Sequence, residues 1–137
     1  MTRTTSGALV VAVGGAIGAV ARWALTGAFP ASPGDFPWTT FVINVVGCAL
    51  LASLPLVPAA RNRWWVGLFL GTGVLGGFTT MSAASVETFL LLDGHHLATA
   101  AAYCVGTLAA ALTAVLVVDR RVTLDDRTRA ERDGWNE

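Results

Sequence analysis

The stretch GTGVLGGFTTMSAAS, residues 71–85, decides the fold of this chain. It sets glycines and hydroxyl side chains in the middle of a segment otherwise apolar enough to cross a membrane. A bilayer core has no water to bind loose backbone groups, so irregular chain survives there only where protein or a wet cavity covers it. The stretch therefore predicts a broken membrane helix and is the first candidate for a functional site.

The composition places the whole chain in the membrane class. Its 137 residues are 54% hydrophobic and 13% charged, whereas soluble domains are about 45–50% apolar and about 25% charged. We predict an all-α membrane protein in a lipid bilayer, with four transmembrane helices and the third helix broken near mid-membrane. The four apolar segments cover residues 7–29, 38–58, 64–92 and 95–118.

A four-span domain of residues 1–118 is followed by a charged tail, residues 119–137. The mixed charges of the tail are typical of a solvated, partly disordered extension. The formal net charge of the chain is zero, so no global field favours a nucleic-acid partner. No membrane-embedded histidine or carboxylate cluster has metal-ligand or acid–base spacing, so we do not expect an enzyme.

The basic residues outside the spans lie on one side of the predicted membrane. The first and third loops contain no Arg or Lys, while the N-terminus, second loop and C-terminal segment are rich in Arg. The positive-inside rule then predicts a multi-pass protein of the plasma (inner) membrane with both termini cytoplasmic. The arginines that carry this bias are Arg3, Arg61, Arg63, Arg120 and Arg121, with Arg127, Arg129 and Arg132 adding to them.

Three spans carry isolated polar residues. Arg22 in the first span is either a fixed positive charge near an anion route or a side chain that snorkels to the interface. Asn44 in the second span, with Thr40 one turn before it, can hold a small anion or bond a neighbouring helix. Tyr103 and Thr107 share a face of the fourth span and form either interhelical contacts or part of a pathway.

The break itself offers backbone and hydroxyl groups. Gly76 and Gly77 are expected to free the backbone from helical geometry, and Thr79, Thr80 and Ser82 supply hydroxyls. Unwound carbonyls can bind a small cation, and exposed N–H groups or hydroxyls can replace part of an anion's hydration shell. The alternative is a kink that Ser and Thr side chains satisfy internally.

Glu87 is the only acid well within a span. The sequence leaves three roles for this carboxylate, namely pairing with an arginine, relaying protons or capping a helix junction.

These motifs resemble those of the fluoride channel family known as Fluc or CrcB. The resemblance rests on Gly14 to Ala19 followed by Arg22, on Thr40 to Gly47, and on Gly76 to Thr80, in that order. It implies an antiparallel dimer with two fluoride pathways and a structural sodium ion (Na+) at its centre. The sodium contacts would be backbone carbonyls of Gly76 and Thr79. The implied anion pathway comprises Arg22, Thr40, Asn44, Thr80, Met81, Ser82, Ala84, Tyr103 and Thr107.

The chain departs from the family pattern at the pathway phenylalanines, where it has Met81 and Ala84. A ring edge carries partial positive charge that can face fluoride, which a thioether or methyl group does not match. The one-sided arginines are a second departure, because a homodimer of oppositely inserted subunits needs little bias. We therefore hypothesise a heterodimer with a homologous chain of opposite charge bias, a homodimer being the alternative.

The resemblance implies a fluoride-specific ion channel subunit that passively exports fluoride and lowers its cytoplasmic concentration. A proton-coupled small multidrug-type exporter is the alternative from another class, since it would also be a four-span dimer. That chemistry needs an acid in the first span, where this chain has Arg22. A third alternative is a non-conducting structural subunit of a fluoride channel.

Overall fold

The four predicted spans are present as helices. The computed structural model describes residues 3–134, with side chains described from Thr4 to Leu124. Four helical stretches are long and apolar enough to cross a membrane, which confirms the predicted all-α architecture. These stretches are Thr4–Ala28, Trp38–Leu56, Trp64–Asp93 and Leu97–Leu124.

The first two spans are continuous helices joined by a proline-rich loop. Helix α1 covers Arg3–Ala28 and helix α2 covers Trp38–Ser53. Pro37 directly precedes α2, where its fixed φ and missing N–H suit the start of a helix. A 3₁₀ turn, Leu54–Leu56, ends the second span, and the short helix α3, Pro58–Asn62, forms the second loop.

The third span is helical on both sides of a two-residue break. It begins with α4, Trp64–Gly67, widens into a π-helix over Leu68–Leu75, and returns to α-helix in α5, Gly76–Phe78. After Thr79 and Thr80, helix α6 covers Met81–Asp93. The predicted break is confirmed, but it is narrower than the glycine-rich stretch that pointed to it.

The glycine pair is not where the backbone departs from helix. Gly76 has helical dihedrals of φ −65 and ψ −36, whereas Thr79 and Thr80 are extended, with ψ of 155 and 120. The expectation that Gly76 and Gly77 unwind the chain is wrong. A Cβ on Gly77 would overlap the carbonyl of Gly15, so this glycine serves close helix packing instead.

The fourth span continues well beyond residue 118. Helix α7 covers Leu97–Gly134, so the segment assigned to a partly disordered tail is helical through Gly134. The physical reason is that neither Gly nor Pro occurs between Gly106 and Gly134 to end the helix. The tail's cytoplasmic location stays a prediction, and the side chains of Arg127, Arg129 and Arg132 lie outside the described residues.

Small residues bring α1 against the first half of the third span. A Cβ on Gly14 would lie 2.6 Å from the carbonyl oxygen of Phe69, and one on Gly18 would overlap the carbonyl of Val74. Backbones this close gain van der Waals contact, which must drive helix association where lipid is as apolar as the side chains. Gly14 and Gly18, which are four residues apart, therefore mark an interface between two helices of one chain.

The second half of the molecule packs around α7. Helices α2 and α6 both contact α7, and Ala84, Leu91, Ala100 and Tyr103 form the buried core between them. Apolar side chains such as Trp23, 74% exposed, point away from the chain, as expected of surfaces that face lipid or another subunit. The break thus lies where the two halves meet.

Candidate functional site

Asn44 ties α2 to the break. Its side-chain Nδ2 donates to the carbonyl oxygen of Thr80 at 3.0 Å, and its Oδ1 accepts from the backbone N–H of Thr80 at 2.8 Å. Asn44 and Thr80 are 9% and 8% exposed, so the backbone N–H of Thr80 would otherwise be buried without a partner. The Thr80 carbonyl also accepts the first intrahelical bond of α6. Of the two roles left open for Asn44, the structure shows the bond to a neighbouring helix.

The carbonyls that precede the break lose their ordinary helical donors, and two of them belong to Gly76 and Thr79. In a continuous helix the N–H of Thr80 would donate to Gly76, and the N–H of Ala83 would donate to Thr79. Here the N–H of Thr80 donates to Asn44, and that of Ala83 donates to the Thr80 hydroxyl at 3.1 Å. The carbonyls released in this way belong to Gly76 and Thr79, the two residues that the resemblance assigns to sodium.

The hydroxyl of Thr80 also caps helix α6. Besides accepting from Ala83, it lies 3.2 Å from the hydroxyl of Ser82, so these two predicted pathway residues are brought together. A threonine side chain that accepts from the third residue of a helix is a standard N-terminal cap. Part of the break's polarity therefore stabilises the start of α6, as the internal-kink alternative expected.

Arg22 is held at the other side of the break. Its Nε donates to the carbonyl oxygen of Gly77 at 3.2 Å, a carbonyl whose helical donor would be Met81. The positive guanidinium also lies at the C-terminal end of α5, where the helix dipole favours a cation. Arg22 is thus anchored within the protein at the break, which argues against simple snorkelling to the interface.

Glu87 gathers two of the predicted pathway residues. Its Oε1 accepts from the hydroxyl of Thr40 at 2.7 Å, and its Oε2 accepts from the hydroxyl of Tyr103 at 2.5 Å. Thr40 and Tyr103 are each 1% exposed, so the carboxylate stands at the centre of a polar cluster buried between α2, α6 and α7. The role of Glu87 stayed open in the sequence. Its position as the only acid well within a span nevertheless indicated a functional residue.

Aromatic rings hold this cluster from the loop side. The ring of Phe36 packs edge-on against Tyr103, with centroids 5.4 Å apart, and it also contacts Phe41 and Trp38. Aromatic pairs of this geometry add to the energy of burial. They fix the position from which the Tyr103 hydroxyl reaches Glu87.

A groove of about 350 Å³ runs along α6 and α7. Four predicted pathway residues line it, namely Met81, Ala84, Tyr103 and Thr107. Thr107 donates its hydroxyl hydrogen to the backbone carbonyl of Tyr103 at 2.6 Å, and one helical turn separates them along α7. The structure therefore places the two departures from the family pattern, Met81 and Ala84, beside the polar face of the fourth span.

The fold and the site define a membrane protein with four spans, a broken third helix and buried polar side chains that lead to the break. A family model described as CrcB-like protein, Camphor Resistance (CrcB), matches residues 9–118. The chain belongs to the CrcB family.

Curated relatives carry channel names. The chain is 50% identical over 104 residues to Fluoride-specific ion channel FluC 2 of Streptomyces avermitilis, covering 72% of this chain and 64% of that protein. It is 48% identical over 111 residues to FluC 1 of Streptomyces coelicolor, covering 77% and 70%. The match thus spans just under two thirds of the first relative. Because these relatives are ion channels, the family is not one of enzymes.

Proposed function

We propose that this chain is a fluoride-specific ion channel subunit that passively exports fluoride across the plasma membrane. The observation that carries the proposal is the buried polar cluster of Thr40, Glu87 and Tyr103, which lies one helical turn from Asn44 and Thr107. One turn is about 5.4 Å along a helix, so an ion would move only a short distance between successive polar groups. The relatives named as fluoride-specific channels support the choice of ion.

The chemistry of the cluster suits an anion that must lose water. Hydroxyl hydrogens rotate, so those of Thr40 and Tyr103 can turn from Glu87 toward a passing fluoride. Donors placed along a narrow passage replace the hydration shell, as selectivity filters do for other ions. The amide of Asn44 keeps one Nδ2 hydrogen beyond the bond to Thr80, which gives a further donor at the level of the break.

We infer a heterodimer from the groove. Met81 is 67% exposed and Ala84 lines the groove beside Tyr103 and Thr107, so neither presents a ring edge toward the passage. A homologous, oppositely inserted subunit that retains both phenylalanines would supply those rings. Arg61 and Arg63 predict that the termini of this chain are cytoplasmic. A partner with the opposite arginine bias would insert in the opposite direction, as an antiparallel pair requires.

A structural sodium ion is the proposed partner of the released carbonyls. Gly76 is exposed and Thr79 half-buried, and both line a shallow cavity of about 260 Å³ between α2 and the third span. Carbonyls of unwound membrane helices coordinate sodium elsewhere. Within residues 4–124, whose side chains the structure describes, no group of three His, Cys, Asp or Glu side chains is placed to hold a metal. The proposed ligands are backbone oxygens from both subunits.

The proposal is tested by ion efflux from liposomes containing the purified chain and its homologous partner. We expect fluoride efflux well above that of protein-free liposomes, with chloride efflux at the protein-free level. Uptake of a lipophilic cation driven by a proton gradient, in place of fluoride efflux, would establish the multidrug-type exporter instead. Tyr103→Phe in the assembled pair separates a pathway subunit from a supporting one, because a non-conducting subunit would leave conductance unchanged.

A further inference from the structure

The third span holds a hydroxyl in the middle of the membrane that has no partner within the described chain. Thr72 lies about 12 Å beyond Trp64, where the span begins, at the helical rise of about 1.5 Å per residue. That position is well inside a hydrocarbon core about 30 Å thick. Thr72 is exposed, and no described group forms a hydrogen bond with its hydroxyl. Because hydrocarbon offers neither donors nor acceptors, the partner of this hydroxyl must come from outside the chain.

Other hydroxyls within the spans bond to their own helix. Thr88 and Thr113 donate to the carbonyls four residues before them, at 2.8 and 2.7 Å. Both lie in α-helix, whereas Thr72 lies in the π-helix Leu68–Leu75, in which each N–H pairs with the carbonyl five residues before it. The wider turn takes the carbonyl of Leu68 out of the register that a threonine hydroxyl meets in an α-helix. The local backbone therefore explains why the hydroxyl of Thr72 stays unpaired.

Acceptors without donors lie on the same surface. Thr72, Gly76 and Thr79 all line the shallow cavity of about 260 Å³, and the carbonyls of Gly76 and Thr79 are released at the break. The hydroxyl of Thr72 does not reach the carbonyl of Gly76, because a helical side chain leans toward the N-terminus whereas helical carbonyls point toward the C-terminus. These three residues define a break face, which sets an unpaired donor beside unpaired acceptors and is therefore self-complementary.

The break face also leaves room for a second backbone. Outside its own turn of helix, a Cβ on Gly76 would meet nothing nearer than 3.8 Å in the described chain. A Cβ on Gly77, in contrast, would overlap the carbonyl of Gly15. Packing inside the chain therefore requires Gly77 but not Gly76. An exposed glycine of this kind lets the backbone of a neighbouring helix approach closely.

We propose that the break face docks an oppositely inserted homologous subunit, with the hydroxyl of Thr72 donating to a carbonyl released at the partner's break. The docking of a second subunit rests on the proposed dimer, to which this contact adds a face and a donor. A two-fold contact sets the same surface of both subunits face to face, so the donor of each meets the acceptors of the other. A homologous subunit offers these acceptors too, since they belong to the backbone. A carbonyl oxygen has two lone pairs, so one that accepts from Thr72 can still face a sodium ion.

Sedimentation equilibrium of the purified full chain in density-matched detergent measures the dissociation constant of its dimer. Thr72→Val removes the hydroxyl and keeps the shape of the side chain, whereas Thr72→Ser keeps a hydroxyl. A hydrogen bond between membrane helices changes an equilibrium about threefold, so the loss of two equivalent bonds should raise the dissociation constant about eightfold. We expect Thr72→Ser and the matched control Thr113→Val to stay within about twofold of the wild type, because the hydroxyl of Thr113 bonds inside its own helix.

Gly76→Ala tests the break face without removing the hydroxyl. Gly76 has helical dihedrals, so alanine fits the folded chain. The added methyl group holds the backbone of the partner away and should raise the dissociation constant. A Gly76→Ala dimer as tight as that of the wild type would exclude the break face from the contact.

Two results of the sedimentation experiment would overturn the proposal, namely a Thr72→Val dimer as tight as the wild type and a wild-type chain that forms no dimer. Fluoride efflux from liposomes is measured separately. If efflux is absent while Thr72→Val still weakens the dimer, the channel function is contradicted and the contact between subunits stands.

Discussion

Replacing Asn44 with alanine removes both hydrogen bonds that hold the break. The backbone N–H of Thr80 loses its partner in a position that is 8% exposed, while its carbonyl loses one bond and keeps the first intrahelical bond of α6. A buried, unpaired N–H costs about 1–3 kcal/mol and the lost bond to the carbonyl about 1 kcal/mol, so Asn44→Ala is expected to lower the free energy of unfolding by about 2–4 kcal/mol. The lower end applies if water enters the space left by the amide.

The measurement is reversible unfolding of the purified chain in detergent, followed by tryptophan fluorescence. Val42→Ala is the matched control, because Val42 lies on the same helix but is 49% exposed and should lose well under 1 kcal/mol in a lipid-like solvent. Asn44→Asp is informative as well, since its oxygen still accepts from Thr80 while the donor is lost. If Asn44→Ala unfolds at the same detergent concentration as Val42→Ala, Asn44 does not hold the break.

Three further substitutions test packing and pathway. Gly18→Ala is expected to lower the melting temperature, because the added Cβ would overlap the third span. Gly27→Ala is the control, because a Cβ there has nothing within 4 Å and should be neutral or stabilising. Equal melting temperatures of the two variants would contradict the contact at Gly18. Met81→Phe, at a position that is 67% exposed, is expected to raise fluoride efflux of the chain reconstituted alone, and an unchanged rate counts against the missing ring at this position as the defect. Tyr103→Phe removes a hydroxyl that donates to Glu87. It should slow fluoride efflux of the assembled pair severalfold, which corresponds to the free energy of about one hydrogen bond. An efflux rate equal to that of the wild type would exclude this hydroxyl from the pathway.

The number and placement of the spans follow directly from the sequence. Runs of apolar residues bounded by proline, glycine and charged loops can cross a bilayer only as helices, and Trp38 and Trp64 begin spans in the structure as predicted. The end of the fourth helix could not be read in the same way. Composition marks where a helix leaves the apolar phase, whereas α7 continues through residues 119–134, which contain no Pro and no Gly before Gly134.

The polar contacts of the site were predicted only in part. Asn44 and the break were identified as a pair of candidates, but the two-point bond to Thr80 depends on how α2 and the third span lie together. The sequence did not assign a role to Glu87, because its hydrogen-bond partners lie on other helices. Thr40 is 47 residues away in the sequence and Tyr103 is 16 residues away. Local spacing shows which residues share a face of one helix, while contacts between helices depend on packing that a single sequence does not reveal.

The expectation that the glycine pair unwinds the helix was wrong for a different reason. Glycine permits unusual dihedrals but also permits close backbone approach, and the sequence does not distinguish these uses. Gly77 serves close approach to Gly15, while the extended residues are the threonines that follow. Side-chain hydrogen bonds from Asn44 and Thr80 stabilise that extended backbone, so hydroxyls and an amide rather than glycines determine where the helix ends.

The most direct test of an unequal fluoride channel is fluoride efflux from liposomes made with this chain alone, and from liposomes made with it and a homologous chain that has both phenylalanines and the opposite arginine bias. We predict slow efflux from the chain alone and fast, fluoride-selective efflux from the pair. Robust, selective efflux from the chain alone would contradict the heterodimer. No fluoride efflux from either preparation would contradict the channel function itself.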